Sequence, residues 1–260
     1  MTQMRIFCLL FLLLSGPSVS YAGRPLIIDD AYPIEAGQIQ IEAGFLYWHA
    51  FEHDHYEAPL SLTCGLIQNV EIGAGVGGLI ENYMEEGGDT RTRSGIGDTI
   101  MTGKWEVMEE SSLLPAVALA PAMKLPTADK DRDLGSGEID YDATVILSKA
   151  ITDTTGIHAN VGYTWIGEPK DEDAFNLFHF GVAGDYQITE PLQAVGEVFT
   201  VREPGSGETP ATQCNFGMRY EAVEGLVFDA AAGGKLSGDA PSFTVTAGLT
   251  WVFGGEPRGS

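Results

Sequence analysis

Over residues 98–125 the side chains change character at every step, and this constrains the chain more than any other feature. In 98–107 the even positions are Asp98, Ile100, Thr102, Lys104 and Glu106, and the odd ones are Thr99, Met101, Gly103, Trp105 and Val107. After a polar turn at 109–112, the odd positions Val117, Leu119, Met123 and Leu125 are apolar. The even ones are Ala116, Ala118, Ala120, Ala122 and Lys124. A period of two is the mark of a β-strand with two unlike faces. If the greasy face meets lipid, turning Lys104 onto it costs roughly 2–4 kcal/mol. Energy therefore fixes the phase as well as pattern does.

Residues 1–22 read as a secretory signal: Arg5 is the positive start, 6–14 the apolar run, and Ser20, Tyr21 and Ala22 a small-x-small cleavage site. Beyond it no stretch approaches the roughly 18 apolar residues that a spanning helix needs. Cys8 leaves with the signal, and Cys64 and Cys214 fall in separate strands, so no disulfide framework holds the fold. The net charge of −23 argues against a nucleic-acid partner, which would require Lys and Arg to neutralise phosphates.

The same alternation recurs along the mature chain. Residues 23–37 contain two prolines and have no regular period, which predicts an irregular N-terminal segment and a candidate plug for the barrel mouth. A barrel then spans 38–253 and a short tail 254–260. Its predicted strands are 38–48, 56–66, 70–79, the two already described, 139–150, the segment carrying Ala159, Val161, Tyr163 and Trp165, then 174–186, 192–201, the segment carrying Cys214, Phe216, Met218 and Tyr220, 226–234 and 242–253. The glycines of 70–79, Gly73, Gly75 and Gly77, let the strand bend or admit another backbone. Connections are predicted long after odd strands and short after even ones. That parity points to an all-β, closed antiparallel transmembrane β-barrel of about 12 strands, with short periplasmic turns and long outer loops. Two aromatic belts fit the same frame: Tyr47, Tyr56, Tyr163, Trp165 and Phe178 at the outer rim, and Trp105, Tyr186, Tyr220, Trp251 and Phe253 at the periplasmic rim.

The inward phase assigns a charged lumen: Glu42, Glu71, Asp98, Lys104, Glu106, Lys124, Asp140, Asp142, Asp185, Glu197, Arg219 and Asp229. Nine acids against three bases would disfavour anions in an open pore. The same set would serve equally as a paired network stiffening a filled barrel.

Two metal readings arise. His49, His53 and His55 lie with Glu52, Asp54 and Glu57 in a predicted outer loop, 49–55 with its flank, and imidazole with carboxylate suits zinc, copper or nickel. Asp129, Asp131, Asp133 and Asp140 match calcium-loop spacings, although Leu134 stands where the turn glycine belongs. For an enzyme the competitor is a barrel hydrolase of the outer-membrane phospholipase type, with Ser and His at the lipid interface. His158 and His179 point inward by phase and no Gly-x-Ser-x-Gly elbow is present, so no enzyme activity and no cofactor are expected.

The segments GIGDTIMTGKW, LAPAMKLPT, GSG at 135–137, LSKAI and NVGYTWIG, with RPLIIDDAYPIEAGQIQIE near the start, resemble the outer-membrane transporter family catalogued under the MetA pathway of phenol degradation. That resemblance implies a barrel passing small, often aromatic or apolar, compounds. The partners expected are the lipid bilayer and a small-molecule solute. The reading of a different class is a structural or adhesive barrel whose acidic outer loops bind a partner or cations.

Overall fold

The computed structural model describes residues 23–51, 53–84, 90–167 and 175–255. The expected signal at 1–22, Glu52, most of the acidic loop at 167–173, the predicted strand start at Ala174 and the tail beyond 255 lie outside the described residues.

The strands are β1 (Gln38–Ala50), β2 (His53–Ile67), β3 (Val70–Met84), β4 (Thr90–Ile96), β5 (Thr99–Met108), β6 (Ala116–Leu125), β7 (Asp140–Thr152), β8 (Thr155–Trp165), β9 (Leu177–Thr189), β10 (Leu192–Arg202), β11 (Ala211–Val223), β12 (Leu226–Ser237) and β13 (Phe243–Gly254). All pair antiparallel with their neighbours, and β1 closes on β13 from Gln38↔Gly254 to His49↔Phe243. Among the described residues thirteen strands make twelve staves, because β4 and β5 share β3 as partner. β5 pairs with its first half, Val70 to Gly75, and β4 with its second, Gly78 to Met84. The stave breaks at Gly97 and Asp98, where the Gly97 N–H still reaches the Gly77 carbonyl at 2.9 Å. Among the described residues no helix is long and apolar enough to cross a membrane.

The two faces follow the predicted phase. Large apolar side chains such as Leu60, Leu62, Ile72, Leu119, Val145, Val161, Val182 and Phe216 stand exposed on the outer wall, whereas Gln40, Glu42, Ser61, Thr63, Glu71, Lys104, Asn160, Glu197 and Asp229 are buried within. An apolar exterior around a polar interior is what hydrocarbon on one side and water or protein on the other select. The belts pack as ring pairs: Tyr47 with Tyr56 at 5.0 Å, Tyr163 with Trp165 at 5.1 Å and Trp251 with Phe253 at 4.7 Å between centroids.

Two predicted outer loops are instead ladder. β1 and β2 continue to a turn at Phe51, pairing Trp48↔His55 and Ala50↔His53. Of the stretch read as a loop at 81–94, residues 81–84 end β3 and 90–94 belong to β4, while 85–89 lie outside the described residues. Above the bilayer both faces of a strand are polar, so the contrast that marks a strand in sequence fades while its hydrogen bonds continue. The long-after-odd rule consequently fails after β1 and holds after the predicted fifth, seventh and ninth strands, which the added β4 makes β6, β8 and β10.

The outer wall yields a stability test. Val145, outward near the middle of β7, is expected to cost about 2–4 kcal/mol when changed to Arg in lipid, whereas Val145→Leu stays near neutral. Reversible urea unfolding in bilayers measures the difference.

Candidate functional site

Residues 23–37 have almost no internal backbone pairing, so their N–H and C=O groups need partners from the wall. The inward face supplies them. Glu197 on β10 accepts the Ile27 and Ile28 N–H groups at 2.8 and 2.7 Å while Asn215 donates to it at 2.6 Å. Glu71 on β3 accepts the Ile34 N–H at 2.7 Å, and Ser148 on β7 accepts the Ala31 N–H at 2.8 Å. With its amide turned so that oxygen faces the Asp29 N–H, Asn160 bonds that N–H at 2.9 Å and the Asp29 carbonyl at 3.0 Å. Arg219 on β11 donates to the carbonyls of Arg24 and Gly23 at 2.5 and 2.7 Å.

Side chains of the segment complete the fit. Arg24 forks onto Asp229 of β12 at 3.2 and 3.1 Å. Its guanidinium lies in a slot opened by Gly44 and Gly248, which face each other across β1 and β13; a Cβ on either would collide with it. Asp29 meets Lys104 of β5 at 2.7 Å, with Glu71 3.7 Å from the same ammonium. Leu26 and Ile28 bury themselves against an apolar patch of the inner wall made by Leu177, Ala183, Val195, Phe199, Val201 and Ala211.

At the other end of the segment, beyond the strands, the Tyr32 hydroxyl donates to Glu110 at 2.5 Å, and Lys149 donates to the same carboxylate at 2.7 Å. Hydrogen bonds from Lys149 and then Tyr32 hold Glu110 down at about 2, while burial and the Glu110 charge push the Tyr32 phenol up.

One polar chain connects five successive staves. The Ser148 hydroxyl lies 2.8 Å from His158 Nδ1, and His158 Nε2 lies 2.8 Å from Asp185. Asp185 accepts from Gln193 at 2.9 Å, and Gln193 accepts from Arg219 at 3.0 Å. Its first member holds Ala31 and its last holds Gly23 and Arg24, so the chain grips the segment at two places. Ser148, His158 and Asp185 stand in the order of a hydrolase triad. A nucleophile needs an open approach, however, and Ser148 is 1% exposed with its oxygen already accepting the Ala31 N–H. It also faces the interior, where a lipid-cleaving serine would face the bilayer.

Of the twelve charged residues assigned to the lumen, most are buried or paired with interior groups. Lys124 bridges Asp140 at 2.6 Å and Asp98 at 3.7 Å; Asp142 meets His179 at 2.8 Å; Glu42 accepts from Ser61 and Thr250, both at 3.2 Å.

The metal candidates do not converge. His49 points outward and meets Asp54 at 2.8 Å, while His53 and His55 point inward from β2. His55 stacks on Trp48 at 4.9 Å and meets Glu81 at 3.0 Å. In the second cluster Asp129 caps the short 3-10 turn Lys130–Arg132, Asp133 closes it in a left-handed conformation at φ 55°, and Asp140 turns inward to Lys124. Among the described residues no group of three or more His, Cys, Asp or Glu is arranged to hold a metal ion. Sequence reasoning missed His55, Glu57, Glu81 and Arg93 as interior groups. Extending the alternation through 49–57 and 81–93 would have found them.

The sequence signature of a family described as "Putative MetA-pathway of phenol degradation" matches residues 22–253. The chain belongs to that family. No curated protein is detectably similar in sequence. Among solved structures, the COG4313 outer membrane channel from Pseudomonas putida F1 superposes with a TM-score of 0.69 at 12% identity, over 86% of this chain and 98% of that one. The NanC porin follows at 0.57 and 10%, over 82% and 98%, and the KdgM porin at 0.57 and 7%, over 82% and 99%. At these identities the likeness is one of fold, so this member of the MetA-pathway family shares their barrel architecture.

Two tests follow from the segment's contacts. Lys104→Met leaves Asp29 and Glu71 facing each other without a cation and is expected to cost about 3–5 kcal/mol in unfolding free energy, partly recovered by adding Asp29→Asn. Because the Glu110 carboxyl is depressed to about 2, its stabilising effect is full above the ordinary carboxylate range and is lost only as pH falls through that value. The Tyr32 ring resonance is therefore expected to stay unchanged from pH 7 down to about pH 3.

Proposed function

We propose that this chain is a passive outer-membrane channel for small solutes, held shut at rest by residues 23–37 acting as a plug. The carrying observation is the seating of Arg24, Ile27, Ile28, Asp29, Ala31 and Ile34 on inward groups of β3, β5, β7, β10 and β12. A barrel with twelve staves and both ends on one side suits the outer membrane, delivered there by a cleaved signal at 1–22. The family's description and the apolar patch under Leu26 and Ile28 favour aromatic or otherwise apolar solutes.

Taking the plug away removes partners from Glu71, Glu197 and Asp229, in a wall set that counts nine acids and three bases. An opened pore is then expected to prefer cations. Planar-bilayer recordings of a chain lacking 23–34 should show a several-fold rise in conductance over wild type, with a reversal potential of the cation-selective sign. A structural or adhesive barrel, whose lumen serves only to be filled, predicts unchanged conductance, and that result would discard the channel reading.

A further inference from the structure

Between the segment and the outer half of the barrel lies a cavity of about 50 Å³, lined among others by Leu26, Ile27, Trp48, Phe199, Pro241 and Thr244. Its walls are mostly apolar and run into the patch under Leu26 and Ile28, and its polar lining is Arg24, Gln213, Asn215, Thr244 and Thr246. Trp48 and Thr244 are direct cross-strand partners on β1 and β13, so ring and hydroxyl stand side by side. Thr244 is 8% exposed, and its Oγ1 is buried without a hydrogen-bond partner. A buried hydroxyl left unbonded costs free energy that a ligand with one matching group would recover. Apolar walls with a few polar groups are the usual composition of a small-molecule site, and here Arg24 bonds Asp229 and Thr246, Gln213 bonds Asn215 and Asn215 bonds Glu197, which leaves the Thr244 hydroxyl for a ligand.

We propose that this cavity is a binding station for a small neutral molecule with a compact apolar body and one hydroxyl, held by contact with Trp48 and Phe199 and a hydrogen bond to Thr244. The assignment deepens the channel reading above and rests on it for the ligand's route in and out. Charge is excluded from the ligand because the nearest cation, Arg24, is already forked onto Asp229. The space exceeds the ~10–15 Å³ that one water needs and falls short of the ~150 Å³ cavity that takes benzene. A ring-sized body therefore enters by pushing the Ile27 side chain aside. Ile27 is 40% exposed and has little packing to lose. The station thus lies against the plug, and its filling presses on the same residues whose N–H groups Glu197 holds.

The chain's own tryptophans supply the assay. Trp105, Trp165 and Trp251 are exposed on the outer wall, and Trp48 is buried at 2%. With those three changed to Phe, emission reports Trp48 alone. Titration of the folded barrel with cyclohexanol should give a saturable change, and methylcyclohexane, of similar shape without the hydroxyl, a weaker one. Thr244→Val keeps the shape and is expected to lower cyclohexanol affinity about fivefold while leaving methylcyclohexane unchanged. The proposal is overturned by the absence of a saturable response to cyclohexanol, by Thr244→Val weakening both probes equally, or by its weakening neither. Binding is read at equilibrium in the intact chain, whereas the channel reading stands or falls on conductance after deletion of 23–34. Cyclohexanol binding without any rise in conductance on that deletion would sink the channel alone; a rise in conductance without binding would sink the station alone.

Discussion

Closure of the backbone hydrogen-bond ladder governs this molecule. In hydrocarbon an unpaired N–H or C=O has no water to turn to, so a sheet can span only if its first strand meets its last. Here the meeting is the long register of β1 on β13, from Gln38↔Gly254 to His49↔Phe243. Once the sheet is closed, every side chain points either at lipid or at a shared interior, and the alternation along each strand becomes compulsory. The interruption at Gly97 and Asp98 shows how far the rule bends. β3 keeps a partner along most of its length although that partner is two strands. On the far side of β4 the connection at 126–139 comes up against it, with Arg132 donating to the Ser94 carbonyl at 2.7 Å.

That compulsion explains what the sequence made legible. Wherever a strand crosses hydrocarbon, the penalty for a polar side chain facing lipid keeps the pattern clean, as in Tyr141, Ala143, Val145 and Leu147 against Asp140, Asp142, Thr144 and Ser148. Inward positions are under weaker compulsion, because an interior tolerates either chemistry once its groups are satisfied. Ile146, Val195 and Phe199 are inward and apolar, and period alone does not tell their role. They become intelligible only when Leu26 and Ile28 are seen to cluster with Val195 and Phe199, and Ala31 with Ile146. Beyond the bilayer both faces are polar, and His53, His55, Glu57 and Glu81 lost their strand signature there.

The histidines show the same limit from another side. Three of the five lie within seven residues, which in sequence invites a shared ligand. The hairpin register divides the group between two faces, because it pairs Trp48 with His55 and His49 with Asp54: His49 goes outward to Asp54, and His55 inward to Trp48 and Glu81. Spacing that would unite ligands on a loop separates them on a ladder. The calcium-like acids differ again, for there the short turn at Lys130–Arg132 uses Asp129 and Asp133 as its own caps.

The acid excess of the interior has a physical reading that the count alone did not suggest. A peptide without helix or sheet carries a row of unpaired N–H donors, and burying them requires acceptors at matching places. Carboxylates accept at two oxygens and donate nothing when ionised, so an acidic wall is suited to receive an irregular backbone. Glu197 takes two successive N–H groups and Glu71 a third, while Lys104 and Arg24 bring cations to the carboxylates beside them. Arg219 does the converse for the two leading carbonyls. The charge pattern that would bias an open pore toward cations is thus also a receptor for the segment that fills it. A substitution chosen to alter selectivity at Glu71, Glu197 or Asp229 will alter the seating of residues 23–37 as well, and the two effects separate only in a chain from which that segment has been removed.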